Sequence, residues 1–207
     1  MNINAKPRFR TLWHAAAALS LAGVSLGACV PQAADPGEPP LAGADIGGPF
    51  TLTSASGDTV TWDDFRGQYA VVYFGYAYCP DVCPTDMQRT AQGLREFAKT
   101  DAEAADKVQA VFITIDPERD TPEVVGEFTS AFSDDLIGLT GSPDAIKAAA
   151  DAFRVYYQKG EEGPGGGYLV DHTNIVYLFD PQGEPLSMLP TSEGADAVAQ
   201  ELAKWVK

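Results

Sequence analysis

Sulfur and imidazole ligands are scarce in this sequence, and so are positive charges. The chain of 207 residues contains three cysteines and two histidines. Three cysteines are too few for a fold held together by disulfides, so the domain needs an ordinary hydrophobic core. Lysine and arginine together number 14 against 29 acidic residues, which gives a net charge of −15. Because a surface of this sign repels phosphate backbones, we expect no nucleic-acid partner.

Long hydrophobic runs are also rare, and residues 11–28 form the one stretch that approaches membrane-spanning length. A basic segment precedes this run, which ends in Leu26-Gly27-Ala28-Cys29. This arrangement is typical of a secretory signal peptide, and its last four residues also resemble a bacterial lipobox, in which the cysteine is lipidated. We therefore predict a lipoprotein-like signal peptide at residues 1–28 with Cys29 lipidated. A single N-terminal transmembrane anchor is the main alternative, and a soluble secreted form is the third.

Each of these alternatives places the rest of the chain outside the cytoplasm. We expect it on the periplasmic side of a bacterial membrane, held there by its N-terminus. Residues 29–49 are rich in proline and glycine and are predicted to form a flexible tether. Residues 50–207 are predicted to form a single domain.

The predicted domain alternates between strand and helix patterns. Tyr69 to Tyr76 and Val108 to Ile115 are continuous apolar runs, as expected for strands buried on both faces of a parallel sheet. The alternation predicts an α/β, thioredoxin-like fold, with a central mixed sheet flanked by helices and an N-terminal hairpin. The predicted order is a hairpin (50–61), a strand (69–76), a helix (84–99), a strand (108–115), a helix from 121, a strand (136–139), a helix (142–153), strands near 155–158, 168–170, 175–179 and 185–189, and a helix (191–206).

A cysteine pair lies between the first buried strand and its helix, in the segment Cys79-Pro80-Asp81-Val82-Cys83-Pro84. Ligands of α/β sheets collect at the carboxyl ends of strands, and a helix N-terminus there favours thiolate over thiol. His172 is the one histidine after the leader, and the predicted fold can bring it over the cysteine loop. Structural zinc normally takes four ligands, whereas two thiolates and one imidazole suit Cu(I). We therefore predict that Cys79, Cys83 and His172 bind Cu(I), and that Cu(II) could bind with a further weak donor.

The same cysteines also support interpretations without a metal. They could form a structural disulfide or serve a thiol–disulfide reductase, with Cys79 attacking a partner's disulfide and Cys83 resolving the mixed disulfide. A peroxidase of the peroxiredoxin type is a weaker alternative, because no separate resolving cysteine is present. Met87 is a further soft donor, but its helical spacing favours a place in the core. Carboxylates of residues 116–120 could orient His172 or bind a partner, although helix entry explains this segment equally well.

Three segments together resemble the Sco/SenC family of copper-binding assembly proteins: YFGYAYCPDVCPTDM, ITIDPERDTP and YLVDHT. The resemblance extends from about Phe50 to the C-terminus. It implies a thioredoxin-like domain tethered to a membrane, with copper bound by two cysteines and one histidine that fall on Cys79, Cys83 and His172. It also implies a role at the dinuclear copper site of respiratory cytochrome c oxidase, either delivering copper or reducing the cysteines of that site.

From the residues and the resemblance together, we expect a copper metallochaperone rather than an enzyme. The expected partner is the copper-site subunit of cytochrome c oxidase, and another periplasmic protein could donate the copper. The alternative is a thiol–disulfide reductase that acts on cysteines of that subunit or of another periplasmic partner. The leader departs from the family pattern, because many members have a transmembrane anchor where this chain has a lipoprotein-like signal.

Overall fold

A computed structural model describes residues 37–163 and 165–207. The predicted signal peptide, the lipidated Cys29 and the first part of the predicted tether lie outside these residues. The strands are β1 (Thr51–Ser54), β2 (Thr59–Thr61), β3 (Tyr69–Gly75), β4 (Val108–Thr114), β5 (Ile137–Thr140), β6 (Tyr157–Lys159), β7 (Val170–His172), β8 (Val176–Phe179) and β9 (Pro185–Leu189). The α-helices are α1 (Val82–Thr100), α2 (Ala102–Ala105), α3 (Pro122–Ser130), α4 (Pro143–Ala152) and α5 (Ala195–Trp205), with 3-10 turns at Trp62–Phe65 and Thr191–Glu193.

Within the described residues, seven strands form one mixed sheet in the order β2-β1-β5-β4-β3-β8-β9. The central strands β3, β4 and β5 are parallel, and β8, β9, β1 and β2 extend the sheet by antiparallel pairing. Strands β6 and β7 form a separate antiparallel pair. Helix α1 connects β3 to β4, and α3 connects β4 to β5. This order of elements confirms the predicted α/β, thioredoxin-like fold, including the N-terminal hairpin of β1 and β2.

Strand β3 lies in the middle of the sheet, between β4 and β8, and residues 70–75 are all buried. Its apolar run forms a strand because neighbouring strands and the covering helices remove both faces from water. Each large apolar side chain buried in this way stabilises the folded state by about 1.5–3 kcal/mol relative to the same side chain left in water. The cysteine segment follows the carboxyl end of this central strand. It therefore lies near the middle of the sheet, at the end where the parallel strands β3, β4 and β5 terminate.

Side-chain caps determine where two of the crossover helices begin. Thr121 accepts a hydrogen bond from the Val124 N–H at 3.4 Å, and Ser142 accepts one from the Ala145 N–H at 3.2 Å. A proline occupies the first helical turn in both cases, where no backbone donor is needed. Helix α1 begins at Val82, two residues before the predicted start, so Cys83 lies inside its first turn.

Other predicted boundaries also differ from the structure. The last helix begins at Ala195 rather than at residue 191, because Gly194 adopts a φ of +103° that interrupts the helical path. The strand predicted at residues 168–170 instead spans Val170–His172, where pairing with β6 sets its register.

Residues 37–49, predicted to belong to the flexible tether, instead run along the body of the domain. The Leu41 N–H donates to a carbonyl oxygen of β9, and the Gly47 N–H donates to the Ala152 carbonyl, each at 3.0 Å. Gly47 has a φ of +98°, and a Cβ there would lie 2.9 Å from the Phe179 ring. Glycine is thus needed here for close packing, which composition does not distinguish from flexibility. No helix in the described ranges combines the length and apolar character required to cross a bilayer.

Candidate metal centre

The cysteine segment forms a tight turn between β3 and α1. The Cys79 N–H donates to the Tyr76 carbonyl at 3.1 Å, and the Cys83 N–H donates to the Cys79 sulfur at 3.4 Å. This second bond uses one of the amide groups that a helix leaves unpaired in its first turn. Both cysteines are free thiols and buried, with 8% of Cys79 and none of Cys83 exposed. Cys79 is therefore the more accessible of the two cysteines.

His172 ends β7 and lies beside the cysteines, although 89 residues separate it from Cys83 in the chain. Its Nδ1 is 2.9 Å from the Thr173 carbonyl oxygen, and its Nε2 is 3.3 Å from the Cys83 sulfur. A carbonyl can only accept, so Nδ1 carries the proton and Nε2 presents its lone pair to the sulfur side. The ligand atoms of Cys79, Cys83 and His172 all lie within 4.8 Å of one another and could hold one metal ion.

Burial controls the protonation of this group. It raises the pKa of the Cys83 thiol, and the neighbouring Cys79 sulfur raises it further. Burial also lowers the pKa of His172, which keeps the imidazole neutral and able to bind a metal. The largest cause of both shifts is the same, the loss of water around a charged form. A metal ion must therefore displace the thiol proton of Cys83 when it binds, and its positive charge supplies the compensation that water cannot.

Two buried polar groups behind the site are absent from the sequence prediction. The Tyr73 hydroxyl, from β3, donates to the Asp86 carboxylate of α1 at 3.2 Å. The Tyr73 ring meets the His172 ring edge to face, with centroids 6.2 Å apart. The sequence contains one signal for this pair, a tyrosine inside an apolar strand followed by an acidic residue in the next helix. Such a tyrosine has a buried hydroxyl that needs a hydrogen-bond partner. Sequence alone does not reveal that the two residues meet.

The acidic segment at residues 116–120 supports the site without contacting its histidine side chain. Asp120 is fully buried and accepts hydrogen bonds from the Ala77 N–H at 2.8 Å and the Thr114 hydroxyl at 2.6 Å. It thereby fixes the backbone of the cysteine turn to the end of β4. In the described residues, the Thr173 carbonyl rather than a carboxylate of this segment orients His172. The expectation that this segment could orient the imidazole is therefore wrong.

Further residues singled out in the sequence lie in or near the core. Met87 is buried on α1 with 1% exposure. Trp62 is buried in an aromatic cluster with Phe50, Phe153 and Phe179. The placement of Met87 matches the expectation that its side chain serves packing, and Trp62 packs in the core as well.

The fold and the site together define a class of protein: a thioredoxin-like domain in which a cysteine pair at the first strand–helix junction meets a distant histidine. The family model described as SCO1/SenC matches residues 38–207. The chain belongs to the SCO1/SenC family.

Individual relatives agree with this assignment. The human mitochondrial SCO1 homolog is 38% identical over 162 residues, which cover 78% of this chain and 53% of that protein. SenC of Rhodobacter capsulatus is 48% identical over 141 residues, covering 68% of this chain and 62% of SenC. The chain thus spans about half of the first relative and three-fifths of the second. The structure of Bradyrhizobium japonicum ScoI with copper bound superposes with a TM-score of 0.70 at 38% identity, covering 78% of this chain and 99% of that one.

Proposed function

We propose that this chain binds copper through Cys79, Cys83 and His172 and takes part in the assembly of cytochrome c oxidase. The observation that carries the proposal is the approach of two sulfurs and one imidazole nitrogen to within 4.8 Å of one another. Thiolate and neutral imidazole are a donor set that suits Cu(I). Support for copper over other soft metals comes from the copper-bound structure of the related Bradyrhizobium protein. The assembly role is supported by membership of the family.

Copper in this proposal is cargo, and the protein is its metallochaperone. Three protein ligands leave a coordination position open to a ligand from another protein. Cys79 and His172 are not fully enclosed, so a partner can reach the ion from their side. We propose that the receiving partner is the copper-site subunit of the oxidase, and that another periplasmic protein could supply the ion.

The proposed location follows from the leader. We propose that the domain acts on the periplasmic side of a bacterial membrane, anchored by a lipid on Cys29. The support is the Leu26-Gly27-Ala28-Cys29 pattern after a short apolar run. A single N-terminal transmembrane anchor would give the same location.

The proposal is tested by the copper content of the reduced, purified full chain, measured by competition with a chromophoric Cu(I) chelator. We expect one copper per chain. Serine at Cys79 or Cys83, or alanine at His172, should weaken binding by at least about 100-fold, since losing a residue that merely supports a ligand already costs 10–100-fold. Cys29→Ser is the matched control, because it removes the remaining cysteine without touching the group. Copper binding that is unchanged in His172→Ala would contradict the three-ligand site.

A thiol–disulfide reductase is the second candidate, and one observation favours it. The two thiols are adjacent, the Cys79 sulfur is the more exposed, and the Cys83 amide N–H donates to it. An amide donor at a helix start stabilises negative charge on an attacking sulfur. The His172→Ala variant separates the two functions, because a reductase needs both cysteines but not the imidazole. Loss of copper binding with retained reduction of a peptide disulfide would show that the chain can perform both.

A further inference from the structure

Tyr76 contacts both segments that supply the proposed metal ligands. It directly follows β3, and its carbonyl accepts the Cys79 N–H, so its backbone belongs to the cysteine turn. Only 2% of the residue is exposed. A buried tyrosine hydroxyl requires a polar partner, and the position of that partner shows what the residue does.

The hydroxyl of Tyr76 accepts a hydrogen bond from the Val170 N–H of β7 at 3.3 Å. Val170 and His172 are two residues apart in that strand, so their side chains leave the same face. The Tyr76 ring also meets the His172 ring edge to face, with centroids 5.9 Å apart and an interplanar angle of 85°. Tyr76 therefore contacts both the backbone that carries His172 and the imidazole itself.

The backbone of the same residue holds the cysteine turn, because the Tyr76 carbonyl accepts the Cys79 N–H at 3.1 Å. Tyr76 thus contacts both segments that supply ligands, one through its backbone and the other through its side chain.

Other contacts hold the β6–β7 pair farther from the imidazole. The Tyr168 hydroxyl donates to Asp116 at 2.7 Å, and Lys159 forms an ion pair with Glu118 at 2.6 Å. The lysine pair is exposed, and such pairs contribute little to stability. These contacts secure the pair of strands to the loop after β4, whereas Tyr76 secures β7 to the cysteine turn.

We propose that Tyr76 is a positioning residue of the metal centre, whose hydroxyl ties β7 to the cysteine turn and so holds the His172 Nε2 within reach of the two sulfurs. The inference rests on the proposed copper function. Without the hydroxyl, the Val170 N–H is left buried and unpaired, and β7 gains freedom to move. The binding-competent arrangement is then populated for a smaller fraction of the time, and the apparent copper affinity falls by that fraction.

The test compares Tyr76→Phe with Tyr177→Phe in the reduced full chain. The first variant keeps the ring and removes the hydroxyl. Tyr177 is a tyrosine of β8 whose ring is buried and whose hydroxyl has no hydrogen-bond partner in the described part of the chain, so it controls for the exchange of tyrosine for phenylalanine itself. We expect Tyr76→Phe to weaken Cu(I) binding by about three- to tenfold, the range of one lost hydrogen bond. Tyr177→Phe should not change it.

A double-mutant cycle with His172→Ala shows how Tyr76 acts. If Tyr76 acts by holding the imidazole, Tyr76→Phe has no further effect on copper affinity once the imidazole is gone. An equal loss of affinity in both backgrounds would overturn the inference. An unchanged affinity in the single variant would also overturn it, while leaving the three-ligand copper site intact.

Amide hydrogen exchange of the copper-free protein provides a readout that does not depend on the proposed function. Faster exchange at Val170 in Tyr76→Phe, with unchanged exchange in β8, supports the tie between β7 and the cysteine turn. Unchanged exchange at Val170 overturns it. Failure of the unmutated chain to bind one copper would instead refute the proposed function, so the two failures are distinguishable.

Discussion

Buried polar side chains around the centre form hydrogen bonds with partners on other elements of the fold. Asp120 accepts the Ala77 N–H, and Tyr73 donates to Asp86. The grouping of Cys79, Cys83 and His172 could be anticipated from the sequence, because cysteine and histidine are rare in this chain and have few structural uses together. The carboxylates and hydroxyls that support these residues could not be predicted. Such side chains are common in the sequence, and only their hydrogen-bond partners in the structure show which of them support the site.

Glu201 of α5 is a partly buried carboxylate whose hydrogen bonds should make stability depend on pH. Burial raises its pKa, but hydrogen bonds from Lys204, Ser187 and Trp205 outweigh burial, so its pKa lies below the usual value. The carboxylate therefore stabilises the fold above its unfolded pKa of about 4.3, and this contribution is lost as the pH falls through the lowered folded value.

We expect Glu201→Gln to lower the free energy of unfolding by about 1 kcal/mol at pH 7, with the difference disappearing near pH 3. Denaturant unfolding at several pH values measures this. Glu193→Gln, at an exposed position, is the control and should change little. A Glu201→Gln deficit that stays constant from pH 7 to pH 3 would show that the carboxylate charge is not the cause.

The packing of α1 against α5 depends on a glycine that helix propensity disfavours. Glycine inside a helix costs about 1 kcal/mol relative to alanine, so Gly93 needs a packing reason. A Cβ at this position would lie 2.5 Å from Val198 Cγ1 and 2.6 Å from Val198 Cβ. The absent side chain lets the two helices approach, and α1 in turn carries Cys83.

Gly93→Ala should therefore destabilise the protein by about 1–3 kcal/mol despite its better helix propensity, since overpacking forces the helices apart. Thermal or denaturant unfolding measures the change. Gln92→Ala, on the exposed side of the same helix, is the control and should be neutral or slightly stabilising. Adding Val198→Ala to Gly93→Ala should restore part of the loss, and a lack of any rescue would argue against this contact as the cause.

The folded domain brings together potential copper ligands from segments far apart in the chain. The unfolded chain does not hold them together, so bound copper should stabilise the folded state. Free Cu(I) at about 1,000 times its dissociation constant adds about 4 kcal/mol to the stability. For a domain of this size, that corresponds to a rise of about 10 °C in the unfolding midpoint.

Thermal unfolding of the reduced chain, without copper and with free Cu(I) buffered at about 1,000 times the dissociation constant, measures this rise. A Cu(I) chelator should reverse it, and His172→Ala should lose most of it. An equal rise in the variant would mean that copper stabilises the protein at another place.

The elements of the domain were largely predictable, but several boundaries were not. Continuous apolar runs predicted β3 and β4, and side-chain caps with proline predicted α3 and α4, because these signals are local. The start of α5 depends on the backbone of Gly194. The ordered path of residues 37–49 depends on contacts with β9 and α4. Composition suggested a flexible tether there, since glycine that permits close packing and glycine that permits motion look the same in a sequence.

The amino-acid sequence by itself determined the fold class, the acidic charge and the residue types able to bind a soft metal, because periodicity, composition and ligand chemistry are local properties. The tertiary structure alone decided that His172 meets Cys83 across 89 residues with its Nε2 toward the sulfur. It also decided that Tyr76 contacts the His172 ring and that its hydroxyl accepts the Val170 N–H. These relations arise because sheet pairing brings distant strands side by side, and burial then makes each unpaired polar group costly enough to require a partner.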